Sequence, residues 1–207
     1  MPTRLSVDDR RRHLADAGLA LAVDHGIAAV TVRGIAERAE VSLGVVHYCF
    51  ENKDAVVGAM ADVLIAELGE AVRAALDAVP RTGVGPPAVR ETVRRGLGAL
   101  WAAIEATPER QILTYEITAY AVRAAGSHRT IAERQYRAMD DATAPFLVDV
   151  AEATATTWSV PVPVMVRSIL ATLDGVVLRW LVDRDSGSAA MELDVLADRV
   201  ANWAAVR

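Results

Sequence analysis

The chain has 207 residues, 53% of them hydrophobic, and its 22 Lys and Arg against 27 Asp and Glu leave a formal charge of −5. That length allows one large or two small domains with a substantial buried core, and the acidic balance argues against a protein that coats nucleic acid without selectivity. A lone cysteine, Cys49, rules out an intramolecular disulfide; no apolar run reaches the ~18 residues of a membrane helix or has signal-peptide form, so a cytoplasmic protein without membrane contact is expected.

Apolar spacing predicts an all-α protein of about nine helices, with no alternating strand pattern of useful length. Leu14, Ala17, Leu21 and Ala22 mark one face of a first helix that ends at Gly26. Thr31 can cap a second helix, on which Val32, Ile35, Ala36 and Ala39 form an apolar stripe. Ser42 is the cap candidate of a third, carrying Val45, Val46 and Cys49, while Val41 can plug the turn between the two. Two short helices joined by a tight turn describe a DNA-binding helix-turn-helix, and the small Ala36 at their crossing lets the backbones approach.

The residues of this stretch are more specific than its spacing. Val41, Ser42, Gly44, Val46, Phe50 and Lys53 stand in the register V-S-x-G-[ST]-[LI]-Y-x-[HY]-F-x-x-K, preceded by Thr31, Ile35, Ala36 and Ala39. In this the sequence resembles the TetR family of transcriptional regulators over about its first sixty residues; beyond them, Tyr115-Glu116 and Asp174-Gly175 match only loosely. The resemblance implies DNA contact by Thr31, Arg33, Ser42, Leu43, Gly44, Val45, His47, Tyr48 and Lys53. Phosphate contacts are expected from Thr31, Tyr48 and Lys53, with Arg33, Leu43, Gly44 and Val45 nearest the base edges.

Three residues depart from the family pattern. Glu40 occupies a turn position that is commonly glycine, where a left-handed backbone costs any other residue roughly 1 kcal/mol. Leu43 and Val45 stand where polar groups often face the groove, which favours reading thymine methyls over hydrogen-bond patterns. His47 replaces a tyrosine, leaving Tyr48 to reach the phosphate backbone. Lys53 is the only lysine among the 22 basic residues, and its place at a helix start suits an ammonium set on a phosphate. Residues 1–53 are electrically neutral overall, so the arginines at 10–12 are either phosphate contacts or a solvated first turn.

Beyond the helix-turn-helix, Asn52 can cap a long helix through about Val79; residues 81–87 form a Gly- and Pro-rich loop, and Pro86 or Pro87 opens the next helix. Thr107-Pro108-Glu109 opens another, reaching about Ala125 before Gly126 and Ser127 break it. A further helix starts near Arg129, and Pro145 should kink or divide it. The most apolar helix spans Val164 to Val182, and Gly187-Ser188 separates it from a last one, Ala189 to Ala205. Ile169, Leu173, Gly175, Val176 and Trp180 on the first of these, with Leu196, Val200 and Trp203 on the second, predict a twofold four-helix homodimer interface.

The expected division is a DNA-binding domain over residues 1–53 and an effector-binding and dimerisation domain over residues 54–207. Candidate effector contacts are Trp101, Tyr115, Glu116, Tyr120, Tyr136, Met139 and Met165, with Trp158 beside them, forming an apolar and aromatic pocket. Glu116 and Asp174 are carboxylates in apolar stretches. They either orient a ligand or pair internally with Arg123, Arg167 or Arg179. No catalytic or metal-binding constellation stands out: His13, His25, His47 and His128 are dispersed, and there is neither a cysteine pair nor a phosphate-cradling loop. The expected partners are therefore a double-stranded DNA operator, a small-molecule effector and a second copy of the chain, with no cofactor. A helical interaction protein without operator binding is the alternative, and a helical enzyme a more distant one.

Overall fold

The computed structural model describes residues 6–77, 80, 83–123 and 129–207, and among these the chain forms nine α-helices. They are α1 Val7–His25, α2 Val32–Arg38, α3 Leu43–Cys49, α4 Lys53–Asp77, α5 Gly85–Glu105, α6 Pro108–Arg123, α7 Arg129–Ala153, α8 Val162–Asp183 and α9 Ser186–Ala201. A single turn of 3-10 helix, Ile27–Ala29, lies between α1 and α2. The predicted break at Gly126-Ser127, the end near Val79 and the start of the 81–87 loop lie outside the described residues.

Local chemistry sets most of these boundaries. Ser6 caps α1 by accepting the Asp9 N–H at 3.0 Å, and Asn52 caps α4 through Ala55 N–H at 2.9 Å. Gly26 ends α1 at φ 78°, a conformation other residues adopt only at a cost, with its N–H returning to the Ala22 carbonyl. Pro86 and Pro87 occupy the first turn of α5, where their missing N–H groups cost no hydrogen bond. Pro145 lies inside α7 without dividing it.

Packing separates the chain into two compact units. The first comprises the described residues up to Glu67 together with Glu109–Gln135, so α6 belongs with the N-terminal helices. Its core gathers Leu14 and Leu19 of α1, Ile35 of α2, Val46 of α3, Met60 of α4, and Leu113 and Ile117 of α6, all essentially inaccessible. Gly18 permits close packing of α1 on α4, since a side chain there would start 2.9 Å from the Met60 sulfur. In the second unit, Leu68–Pro108 with Tyr136–Arg207, α5 packs chiefly against α9, and α9 also against α8.

The structure departs from the expected pattern near the C-terminus. The break before α9 falls at Arg184, left-handed at φ 56°, and Asp185, which caps through Ser188 N–H at 3.0 Å. Gly187 is thus inside the first turn, because the aspartate cap outweighs one glycine. The last helix stops at Ala201, and Ala204–Val206 pairs antiparallel with Thr156–Trp158 as a small two-stranded ribbon. Strands of three residues are too short for an alternating pattern to register, and their pairing spans the sequence between them. Buried Thr154 and Thr156 share a 3.0 Å hydroxyl contact beneath the ribbon, and Gly85 N–H donates to the Thr154 carbonyl at 2.8 Å.

Glu40, in the turn between α2 and α3, has φ 54°. The backbone thus takes the left-handed form expected of a glycine there. Glu40→Gly relieves that strain at some cost in unfolded-state entropy, so a net stabilisation of roughly 0.5–1 kcal/mol is expected in urea unfolding.

Candidate functional site

Seven-residue helices are too short to persist alone, so the orientation of α2 and α3 is imposed by what they bury. Ile35 and Ala36 of α2, and Val46 and Cys49 of α3, face the core, with Phe50 closing the end of α3 at 2% exposure. Thr31 caps α2 by accepting the Gly34 N–H at 3.0 Å, and Val41 N–H donates back to the Ala36 carbonyl across the turn.

The opposite side of α3 is left to solvent. Ser42, Leu43, Gly44, His47 and Tyr48 are exposed, Tyr48 by 70%, and Val45 is half-buried. Positions 43, 44, 47 and 48 fall on one helical face, so the expected DNA-contacting residues of α3 are brought together on a projecting edge. Ser42 holds the N-cap position, but its hydroxyl does not close the cap. Arg33 is exposed on α2 and reaches Glu37 at 3.1 Å, a solvated pair that contributes little to stability.

Lys53, an expected phosphate contact, and Arg11, one of the arginines left open between phosphate contact and solvated turn, both donate to backbone carbonyls. The Lys53 ammonium donates to the Ile27 and Ala28 carbonyls at 3.3 Å each and lies 5.9 Å from the Tyr120 ring centroid. Arg11 donates to the Cys49 carbonyl at 2.6 Å and lies over the Phe50 ring. Carbonyl oxygens cluster at the C-terminal ends of helical turns, and the negative end of the local dipole attracts a nearby cation. Sequence spacing does not reveal that competition.

The residues expected to hold an effector divide between the units. Tyr115, Glu116 and Tyr120 lie on α6 in the first; Trp101, Tyr136, Met139 and Met165 lie in the second. Among the described residues Glu116 pairs with none of the expected arginines, and its Oε2 accepts the Ile27 N–H at 2.9 Å. Tyr120 donates to the Asp54 carboxylate, and Tyr136 donates to Asp174 Oδ2 at 2.9 Å. Trp101 and Met165 are core residues, the Trp101 ring meeting Trp180 edge-on at 5.3 Å. The Trp158 indole N–H donates to the Leu147 carbonyl.

A partly open cavity of about 50 Å³ does occur in the second unit. Val93, Leu97 and Leu100 of α5, Thr143, Phe146 and Leu147 of α7, Ile169 and Leu173 of α8, and Leu196 and Val200 of α9 line it. Its wall is almost wholly apolar, and the Thr143 hydroxyl already donates to the Met139 carbonyl. Four of these lining residues, Ile169, Leu173, Leu196 and Val200, are ones the sequence assigned to a dimer interface.

Val176 and Trp180 of that expected interface are likewise buried within the chain, the indole N–H of Trp180 bonding to Ser186. Helical spacing identifies apolar faces but not which of two faces meets the chain's own core. The large apolar side chains left outward include Leu178 and Val182 of α8 and Met191 and Val195 of α9, with Gly175 open on α8. Trp203 is half-buried, its carbonyl accepting from Ser159.

A core-anchored helix pair that projects a short second helix has the form of a helix-turn-helix. Residues 14–60 match the domain described as bacterial regulatory proteins, tetR family. Over 180 residues, 87% of this chain and 88% of the relative, the sequence is 27% identical to the HTH-type nicotine-responsive transcriptional repressor HdnoR of Paenarthrobacter nicotinovorans. It is 40% identical over 70 residues to the HTH-type transcriptional regulator BetI of Serratia proteamaculans, 34% of this chain and 35% of that one. A TetR-family regulator from Cytophaga hutchinsonii shares the fold, with a TM-score of 0.75 over 99% of this chain and 100% of the other at 15% identity. Residues 14–60 thus carry a TetR-type DNA-binding domain, and the chain as a whole is similar to transcriptional regulators of that kind. No helix among the described residues is long and apolar enough to cross a membrane.

The two bonded phenols provide a measurable signature. The hydrogen bond to Asp54, aided by burial, pushes Tyr120 up to about 12 from its ordinary 10.0, and burial with the Asp174 charge does the same for Tyr136. Because the folded value lies above the unfolded one, the stabilisation is complete below pH 10 and is lost between pH 10 and about 12 as phenolate forms. Ultraviolet titration is expected to show late ionisations of Tyr120 and Tyr136, with Tyr136→Phe removing one of them.

Proposed function

We propose that the protein is a dimeric repressor that leaves a roughly palindromic operator when a small apolar or aromatic molecule enters its C-terminal half. The single observation that carries this reading is the two-sided character of α3, apolar and buried behind, exposed and uncommitted in front. Residues 1–53 act as the DNA-binding part and residues 54–207 as the effector and dimerisation part. Thr31, Ser42, His47 and Tyr48 contact phosphates, while Arg33, Leu43, Gly44 and Val45 approach base edges.

Dimerisation is supported by the outward apolar strip of Gly175, Leu178, Val182, Met191 and Val195, which one protomer leaves uncovered. Twofold symmetry then presents two copies of α3 to successive major grooves. The description of the relative as nicotine-responsive favours a small-molecule signal, and the apolar cavity is the natural place to receive it. A cavity of about 50 Å³ is below the ~150 Å³ that accommodates benzene, so an effector must enlarge it. That expansion shifts α5, α7, α8 and α9, and the change in population reaches the DNA through α4, which continues directly from the reading helices.

Selection from random duplex DNA at low salt is expected to enrich a palindrome, and its absence would favour an interaction protein that has lost operator binding. Light scattering should give twice the chain mass. Leu178→Glu should give the monomer and weaken binding to the selected duplex at least ~100-fold through the lost second half-site. Leu43→Ala should reduce discrimination at thymine positions by about 1 kcal/mol, with nonspecific binding unchanged.

A further inference from the structure

We propose that Lys53 and Glu116 are positioning residues for DNA recognition, which together grip the 3-10 turn Ile27–Ala29 and so close the chain loop containing both reading helices. Glu116 Oε2 accepts the N–H of Ile27 at 2.9 Å, and the Lys53 ammonium donates to the carbonyls of Ile27 and Ala28 at 3.3 Å each. A carboxylate at the first N–H and an ammonium at the carbonyls is the sense in which charges stabilise a helical turn. An ammonium can bond both carbonyls from one point, a geometry that a planar guanidinium fork does not reproduce.

The position of these bonds gives them their effect. Lys53 is 26 residues from Ile27, and the intervening segment is the whole helix-turn-helix. Glu116 then ties this closure to α6, across a separation of 89 residues. One turn further along α6, Tyr120 donates to Asp54 in the first turn of α4 and faces the Lys53 ammonium with its ring. A single face of α6 therefore holds the loop at both points where it closes, at the turn before α2 and at the start of α4. Operator affinity follows from this geometry without either side chain touching DNA.

The test uses the duplex that the wild-type protein enriches from a random pool, titrated over a range of salt with Lys53→Met, Glu116→Ala and Glu116→Gln. Lys53→Met and Glu116→Ala should each weaken binding about tenfold, the scale of one charge-assisted hydrogen bond, at every salt concentration. Their salt slopes should match the wild type. Glu116→Gln, whose amide oxygen still accepts the Ile27 N–H, should stay within about twofold of it. In the DNA-free protein, hydrogen exchange at the Ile27 amide should accelerate about tenfold in Glu116→Ala, with no such change in Glu116→Gln. A Lys53→Met slope shallower by about 0.9 per protomer would make Lys53 a phosphate ligand and overturn the proposal. So would wild-type affinity in both Lys53→Met and Glu116→Ala at unchanged melting temperature. Should no duplex be enriched, the exchange experiment still decides the grip: unaltered Ile27 exchange in Glu116→Ala overturns it.

Discussion

Everything that α3 can present to DNA depends on the burial of its other side. A helix of seven residues has too few internal hydrogen bonds to offset its ordering entropy, so Val46, Cys49 and the following Phe50 must hold it to the core. That anchoring leaves Leu43, Gly44, His47 and Tyr48 pointing outward with no structural task. The adjoining α2 is held in the same manner by Ile35 and Ala36, and the left-handed Glu40 sets the turn between them.

Cations have a less direct part in this arrangement than an N-terminal DNA-binding unit suggests. Arg11 spends a donor on the last carbonyl of α3 and stacks on Phe50, and Lys53 spends two on the turn before α2. Both charges thus bind carbonyl groups at the ends of short elements. The reading unit is neutral overall, and its exposed face relies on His47, Tyr48 and apolar side chains, which suits shape and methyl recognition better than strong nonspecific attraction.

The second unit follows another principle, in which each apolar helix divides its surface between a core of its own and an outer strip. Ile169 and Leu173 on α8, with Leu196 and Val200 on α9, face a cavity that has almost no polar wall. Leu178, Val182, Met191 and Val195 face away from it. The small ribbon of Thr156–Trp158 and Ala204–Val206 draws the end of the chain back beside the start of α5, through the bond from Gly85 to Thr154.

The sequence by itself determined the helical class, the caps at Thr31 and Asn52, the glycine stop at Gly26, the left-handed turn at Glu40 and the helix-turn-helix, because each depends on residues within one or two turns. Tertiary structure alone decided the partners of side chains that act across long separations. Lys53 and Glu116 read locally as a phosphate contact and a pocket carboxylate, yet both hold Ile27, 26 and 89 residues away. Likewise, apolar periodicity located the stripes on α8 and α9 but could not divide them between cavity and outer face. Period and propensity are properties of a segment, whereas the choice among competing acceptors, or between two apolar surfaces, is made only when the segments pack.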